Sequence, residues 1–196
     1  MIIVSTDGSC PTDGDAIGWA WVAHGSGRFD SGGDAHGTTR VAELTALRRA
    51  VEAHPGDEPL FVESGSQWAF RCASEWLETW KAHDWRTAAG EEVPHRESVQ
   101  ALDEAISERT GPVRFRWARG HVESPFTARA RELAELAAND WAAGRGDLDG
   151  LLLDDAAGRE TPEAPAGGPE PEPVGARRSP TTPTSGPGWE LDTLFD

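Results

Sequence analysis

Cysteine is scarce, basic side chains are outnumbered, and no long apolar run occurs; each shortage narrows what the chain can be. Two cysteines, Cys10 and Cys72, in 196 residues are too few for a disulfide framework or a structural zinc cluster. They read instead as small apolar residues in a reducing compartment. Eighteen Lys and Arg face 34 Asp and Glu, a formal net charge of −16, which excludes a general polyanion binder held by a basic surface. Any contact with nucleic acid must be local. The longest apolar runs, such as residues 18–23, fall far short of the roughly 20 residues that a membrane span needs. The opening MIIVSTDGSC has neither the charged region nor the long apolar region of a secretory leader. A cytoplasmic protein without membrane contact is expected.

What is present is one domain's worth of chain and an acidic tail. Eight of the 14 prolines fall in the last 52 residues, and the net charge divides into −9 over residues 1–144 and −7 over 145–196. Residues 161–188 are rich in Pro, Gly, Glu and Thr, too poor in apolar area to offset the entropy of ordering them. The reading is a domain over 1–144, a disordered Pro/Gly/acidic linker over 145–188, and a docking peptide over 189–196. In that last segment Trp189, Leu191, Leu194 and Phe195 return after a long polar stretch. The tip resembles, loosely, the peptides by which bacterial replication and repair proteins dock on the sliding clamp, with Glu190 where those carry Gln.

Within the domain, residues 2–6, 18–23 and 27–32 read as a three-stranded antiparallel meander separated by turn signals. Residues 39–53 place Val41, Leu44, Leu47 and Val51 on one stripe after Thr38 or Thr39 as N-cap, an amphipathic helix ended by Pro55-Gly56. A short buried strand over 60–62, helices over 66–80 and 97–108, a strand over 113–117 and a last helix over 128–143 complete the order. Strands first and then strands alternating with helices predict an α/β domain with a five-stranded mixed sheet.

Three residues carry candidate chemistry. Asp7 ends the first strand in TDGSC, Glu43 lies among the apolar positions of the first helix, and His121 follows the last strand in RGHVESP. A carboxylate beside a buried helix face needs a partner, a metal or a task. With AEL at 42–44, SQ at 66–67, WLETWKAHDWRTAAG at 76–90 and RWARGH at 116–121 in that order, residues 2–143 resemble type 1 ribonuclease H. That family cuts the RNA strand of RNA–DNA hybrids. The resemblance implies a ribonuclease H-like fold, a monomer, and a site with two Mg2+ (or Mn2+) ions held by four carboxylates. Hard divalent cations about 3.5–4 Å apart against a scissile phosphate need several anionic oxygens. Carried over, Asp7 and Glu43 match two of those metal and catalytic carboxylates, and His121 matches a loop histidine that assists product release or proton transfer.

The other two positions depart from the family. The Asp that should precede Ser66-Gln67 is Gly65, and the Asp expected ten residues after the histidine is Arg131. Two negative charges thus become one neutral and one positive group, a change of +3, and at an effective dielectric near 20 a unit charge 4 Å away is worth about 4 kcal/mol. Two-metal binding should be impaired, with Arg131 pairing Asp7 or Glu43 in place of a metal. Glu63, two residues before Gly65 and on the same strand face, could reach one metal at best as a substitute carboxylate, and Glu135 and Glu123 read first as solvated surface carboxylates. The resemblance also implies substrate contacts at Thr39, Arg40 and Gln67, and at Lys81, Trp85 and Arg86 of a helix and loop that grip the DNA strand. Glu75, Glu78, Asp84, Glu91 and Glu92 dilute that basic handle, and its tryptophans read first as core packing. The expected function is a catalytically impaired member, a pseudoenzyme that binds nucleic acid or a protein partner. The alternative is an active endoribonuclease that uses Asp7, Glu43 and Glu63.

Overall fold

The computed structural model describes residues 1–11, 15–118 and 124–146. His121, Glu123 and the whole of the 189–196 peptide lie outside the described residues, as does all but the first two residues of the linker. Five strands, β1 (Ile2–Ser9), β2 (Ile17–Ala23), β3 (Phe29–Asp34), β4 (Leu60–Ser64) and β5 (Val113–Trp117), form one sheet in the order β3-β2-β1-β4-β5. The β1–β2 and β2–β3 pairs are antiparallel, and β1–β4 and β4–β5 are parallel. The meander and the mixed sheet follow the sequence pattern. The parallel half needs helical crossovers, supplied by α1 (Thr39–Glu52) between β3 and β4 and by α4 (Arg96–Glu108) before β5.

One face of the sheet buries Val4, Leu60 and Val62 against Leu44, Leu47 and Val51 of α1 and Val99 and Leu102 of α4. At roughly 1.5–3 kcal/mol per fully buried aliphatic side chain, this cluster is the main source of stability. The other face packs Ala20 and Val22 beneath Ala130, Leu133 and Ala134 of α5 (Pro125–Ala142). Small side chains there let the helix approach the strands closely. Among the described residues no helix is long and apolar enough to cross a membrane.

Two helices differ from the sequence expectation. The segment expected as one helix over 66–80 is α2 (Gln67–Arg71), a π-helical turn (Cys72–Trp76) and α3 (Leu77–Ala82). The Leu77 N–H reaches back to the Cys72 carbonyl, and the wider turn rotates the next residues by one position. Cys72 and Leu77 therefore both face inward, while Trp76 and Trp80 pack on the rim of the core. The last helix starts at Pro125 rather than residue 128, because the Ser124 hydroxyl accepts the Thr127 N–H at 3.1 Å and Pro125 suits the first helical turn.

Candidate active site

Asp7 lies near the C-terminal end of β1, on the face covered by α5, and Glu43 comes to it from α1. That meeting depends on Gly8. A Cβ at residue 8 would lie 2.8 Å from the Glu43 Cα and closer still to the Glu43 backbone nitrogen, so only glycine lets α1 settle against β1 here. The Thr38 hydroxyl accepts the Val41 N–H at 3.3 Å and fixes the start of α1 one turn before Glu43. Ser66 caps α2 by accepting the Ala69 N–H at 3.2 Å, and its hydroxyl also bonds Glu43.

Both carboxyls are held above the usual carboxylate range. For Asp7 burial is the main cause; the Gly8 N–H, which donates to Oδ1 at 2.9 Å, and the Arg131 guanidinium pull the other way, while the Glu135 charge adds to the rise. For Glu43 burial again dominates, Ser66 opposes it, Asp7 raises it further and Arg40 lowers it. Glu135, set aside as surface charge in the sequence, thus acts on the site; its place one turn beyond Arg131 on the same helix face was the signal.

Gly65 and Arg131 complete the arrangement. A Cβ on Gly65 would stand 3.3 Å from Asp7 Oδ2, so residue 65 borders the Asp7 carboxylate and brings no side chain to it. From α5, Arg131 Nε lies 3.3 Å from the same Oδ2. The expected pairing of Arg131 with Asp7 is therefore present. Arg131 is 48% exposed and Asp7 14%, so the guanidinium covers the mouth of the site with its outer half in water.

Glu63 does not reach Asp7. It lies two residues before Gly65 on the same strand face, roughly 6.5 Å down the strand, and its carboxylate is taken up by other partners. Arg116 donates to Oε1, Ser5 lies 3.5 Å from Oε2, and His24 Nε2 is 3.9 Å from Oε2. His24 also bonds Ser5 at 2.8 Å and stacks on Phe126, and Ser5 bonds Thr127 at 3.2 Å. This polar cluster, which pins the start of α5 to the sheet, was missed in the sequence. The hint was a serine and a glutamate, Ser5 and Glu63, next to the apolar Val4 and Val62 on neighbouring strands. Among the described residues no three His, Cys, Asp or Glu side chains converge as a metal-donor set.

The expected substrate residues divide. Thr39, Arg40 and Gln67 are exposed at the starts of α1 and α2 beside the carboxylates, and the Arg40 guanidinium lies 4.9 Å from the Trp68 ring centroid. Lys81 is tied to Asp103 at 2.9 Å. Trp85 has a left-handed backbone, φ 59°, and packs at the core's edge. Arg86 donates to the Gly90 carbonyl at 2.8 Å and lines a cavity of about 390 Å3 with Trp76, Trp80, His83 and Thr87.

This fold, with carboxylates from the first strand and first helix brought to one site, defines an α/β domain of the ribonuclease H-like class. The family model for RNase H matches residues 1–139, and the chain belongs to the RNase H family. Ribonuclease H of Tropheryma whipplei strain Twist is 33% identical over 150 residues, 76% of this chain and 91% of that protein. LC9-RNase H1, described as a type 1 RNase H with the type 2 active-site motif, superposes with a TM-score of 0.58 at 18% identity. The match covers 80% of this chain and 83% of that one. A foamy viral protease-reverse transcriptase in complex with RNA/DNA hybrid gives 0.59 at 15% identity over 70% of this chain and 20% of that one. At these identities the two structures establish the fold.

Among the described residues the donor set does not fit the family's divalent metals. Of the positions around Asp7, residue 65 offers no side-chain oxygen and residue 131 offers a cation bonded to the very carboxylate a metal would need. A guanidinium within contact distance of that oxygen opposes a divalent ion with both of the ion's charges.

Proposed function

We propose that this chain is a nucleic-acid-binding member of the RNase H family whose hydrolytic site is disarmed, and that its ligand is an RNA–DNA hybrid. One observation carries the reading: the salt bridge from Arg131 to Asp7. It puts a fixed counter-charge where hydrolysis would call for a divalent cation, and no step of phosphodiester cleavage can be derived from the groups that remain. Binding is a different matter. Thr39, Arg40 and Gln67 stay exposed beside the site, and the groove at Trp76, Trp80 and Arg86 stays open. These residues can contact phosphate, sugar and 2′-hydroxyl groups without a metal. The hybrid as ligand is supported by the family and by the RNA/DNA hybrid bound to the related foamy viral enzyme.

The test is cleavage of a labelled RNA–DNA hybrid in Mg2+ and in Mn2+, comparing the full chain with its Gly65→Asp, Arg131→Asp double variant. The unaltered chain is expected to bind the hybrid and leave it intact, with cutting confined to the variant. Comparable cutting by the unaltered chain sinks the reading.

A further inference from the structure

With the strand order β3-β2-β1-β4-β5, the sheet has two edges, β3 and β5. At the ends of the β4–β5 ladder the Leu60 N–H donates to the Pro112 carbonyl at 3.0 Å and the Ala118 N–H to the Ser64 carbonyl at 2.9 Å, so the even-numbered residues of this stretch face β4. Val113 and Phe115 therefore turn their N–H and C=O groups outward, and among the described residues nothing pairs with them there. The side chains of β5 alternate as well. Val113 and Phe115 pack at the margin of the core and Trp117 is half-buried, while Arg114 and Arg116 are exposed on the opposite face. On that face α5 lies over β1, β2 and β3. Arg116 is steadied by Glu63 and by the Phe61 ring, whose centroid is 5.3 Å from the guanidinium, and it is still 60% exposed. Among the described residues Arg114 forms no salt bridge.

An open edge is a template for one more strand. A second copy of β5 is a poor occupant, because pairing would set arginine against arginine. The complement of Val-Arg-Phe-Arg-Trp is an extended segment in which acidic and apolar residues alternate. Its acids fall beside Arg114 and Arg116 on one face and its apolar residues beside Val113, Phe115 and Trp117 on the other, with main-chain hydrogen bonds between the strands. The other edge rejects the same segment, since β3 carries Asp30 and Asp34 and no basic side chain. The chain's net charge of −16 adds a general repulsion, so an acidic segment is held only where a local match of this kind exists. We propose that the outer edge of β5 is a docking site for an extended, alternately acidic and apolar segment of a partner protein, bound by strand addition. The site is separate from the carboxylates and from the hybrid-binding residues, and it does not depend on whether the chain cuts RNA.

The experiment is fluorescence anisotropy of a labelled synthetic peptide, Thr-Glu-Val-Glu-Val-Glu-Thr, titrated with the full chain, together with amide hydrogen exchange of the complex. Binding is expected, with exchange slowed at Val113 and Phe115 and unchanged in β3. Arg114→Glu turns an attractive cross-strand pair into a repulsive one and should weaken binding about tenfold. Arg114→Lys keeps the charge and should keep the affinity, which separates lost charge from lost folding. Arg28→Glu makes the same change of charge at the exposed β2–β3 turn and should leave binding unchanged. The same peptide N-methylated throughout keeps its carboxylates but has no N–H to donate, and should not bind. Equal binding of the N-methylated peptide, unchanged affinity in Arg114→Glu, protection at another surface instead of β5, or no binding of the peptide at all overturns the proposal and leaves the proposed function untouched.

Discussion

Magnesium should not stabilise this protein, and it should stabilise the Gly65→Asp, Arg131→Asp variant. In the chain as it stands, the Asp7 carboxylate faces one guanidinium at 3.3 Å and no carboxylate at residue 65. The double substitution removes the cation and adds two carboxylates, one at residue 131 and one whose Cβ starts 3.3 Å from Asp7 Oδ2, and the residue 65 carboxylate alone sets a lower bound on the repulsion. Two like charges about 4 Å apart repel by about 4 kcal/mol at an effective dielectric near 20. The lost Arg131 pair adds little, about 0–1 kcal/mol, because that side chain is half exposed. At roughly 2–4 °C per kcal/mol for a domain of this size, the variant in EDTA should melt on the order of 10 °C below the unaltered chain. A divalent ion present at 100 times its dissociation constant returns about 2.7 kcal/mol, so Mg2+ should restore several degrees to the variant. Differential scanning fluorimetry with and without Mg2+ reads both. A rise in the unaltered chain equal to that of the variant would refute the claim that Arg131 excludes the ion.

Two further outcomes follow from the packing and the burial. Gly18→Ala should destabilise, because a Cβ at that point of β2 overlaps the Ala134 carbonyl and the Ala138 nitrogen of α5. Overpacking of this kind costs about 1–3 kcal/mol, a fall in Tm of several degrees by thermal melting, and unchanged stability would show that α5 can move off the sheet freely. Glu43→Gln should raise Tm at pH 7. Burial holds the Glu43 carboxyl above its ordinary range in the fold, so the folded state binds that proton more tightly than the unfolded one. The stability this group contributes is present below the unfolded pKa and lost as pH rises through the folded one. The gain over the unaltered chain should therefore shrink as melting is repeated toward pH 4, and a loss of stability at pH 7 would contradict it.

Where local pattern and long-range packing agree, the sequence was a sufficient guide. The α1 stripe, its Thr38 cap and the strand over 113–117 all appear where the sequence pattern puts them. Pattern fails where a neighbour in space decides. Nothing local marks the π-helical turn at Cys72–Trp76, which is fitted to the core by Cys72 and Leu77. Similarly, the strand face of Glu63 was legible, but its commitment to Ser5, His24 and Arg116 was not, since those partners come from three other parts of the chain. For Asp7 and Arg131 the order of motifs was enough, because both belong to one family's spacing and the fold brings that spacing together.

Gly65 and Arg131 make sense only as a pair. A buried aspartate whose carboxyl is pushed up by desolvation costs stability when ionised, and a bound cation ordinarily offsets that cost. Losing the carboxylate at 65 alone would relieve repulsion on Asp7 yet still leave it without a counter-charge. Placing arginine at 131 alone would give the guanidinium two competing carboxylates and leave room for a metal on the far one. Together the two residues give Asp7 a counter-charge from the protein itself, while Glu43 is steadied by Ser66 and by the nearby charge of Arg40. Such coupled substitutions are not additive: reverting either one should cost the fold more than reverting both with a divalent cation present.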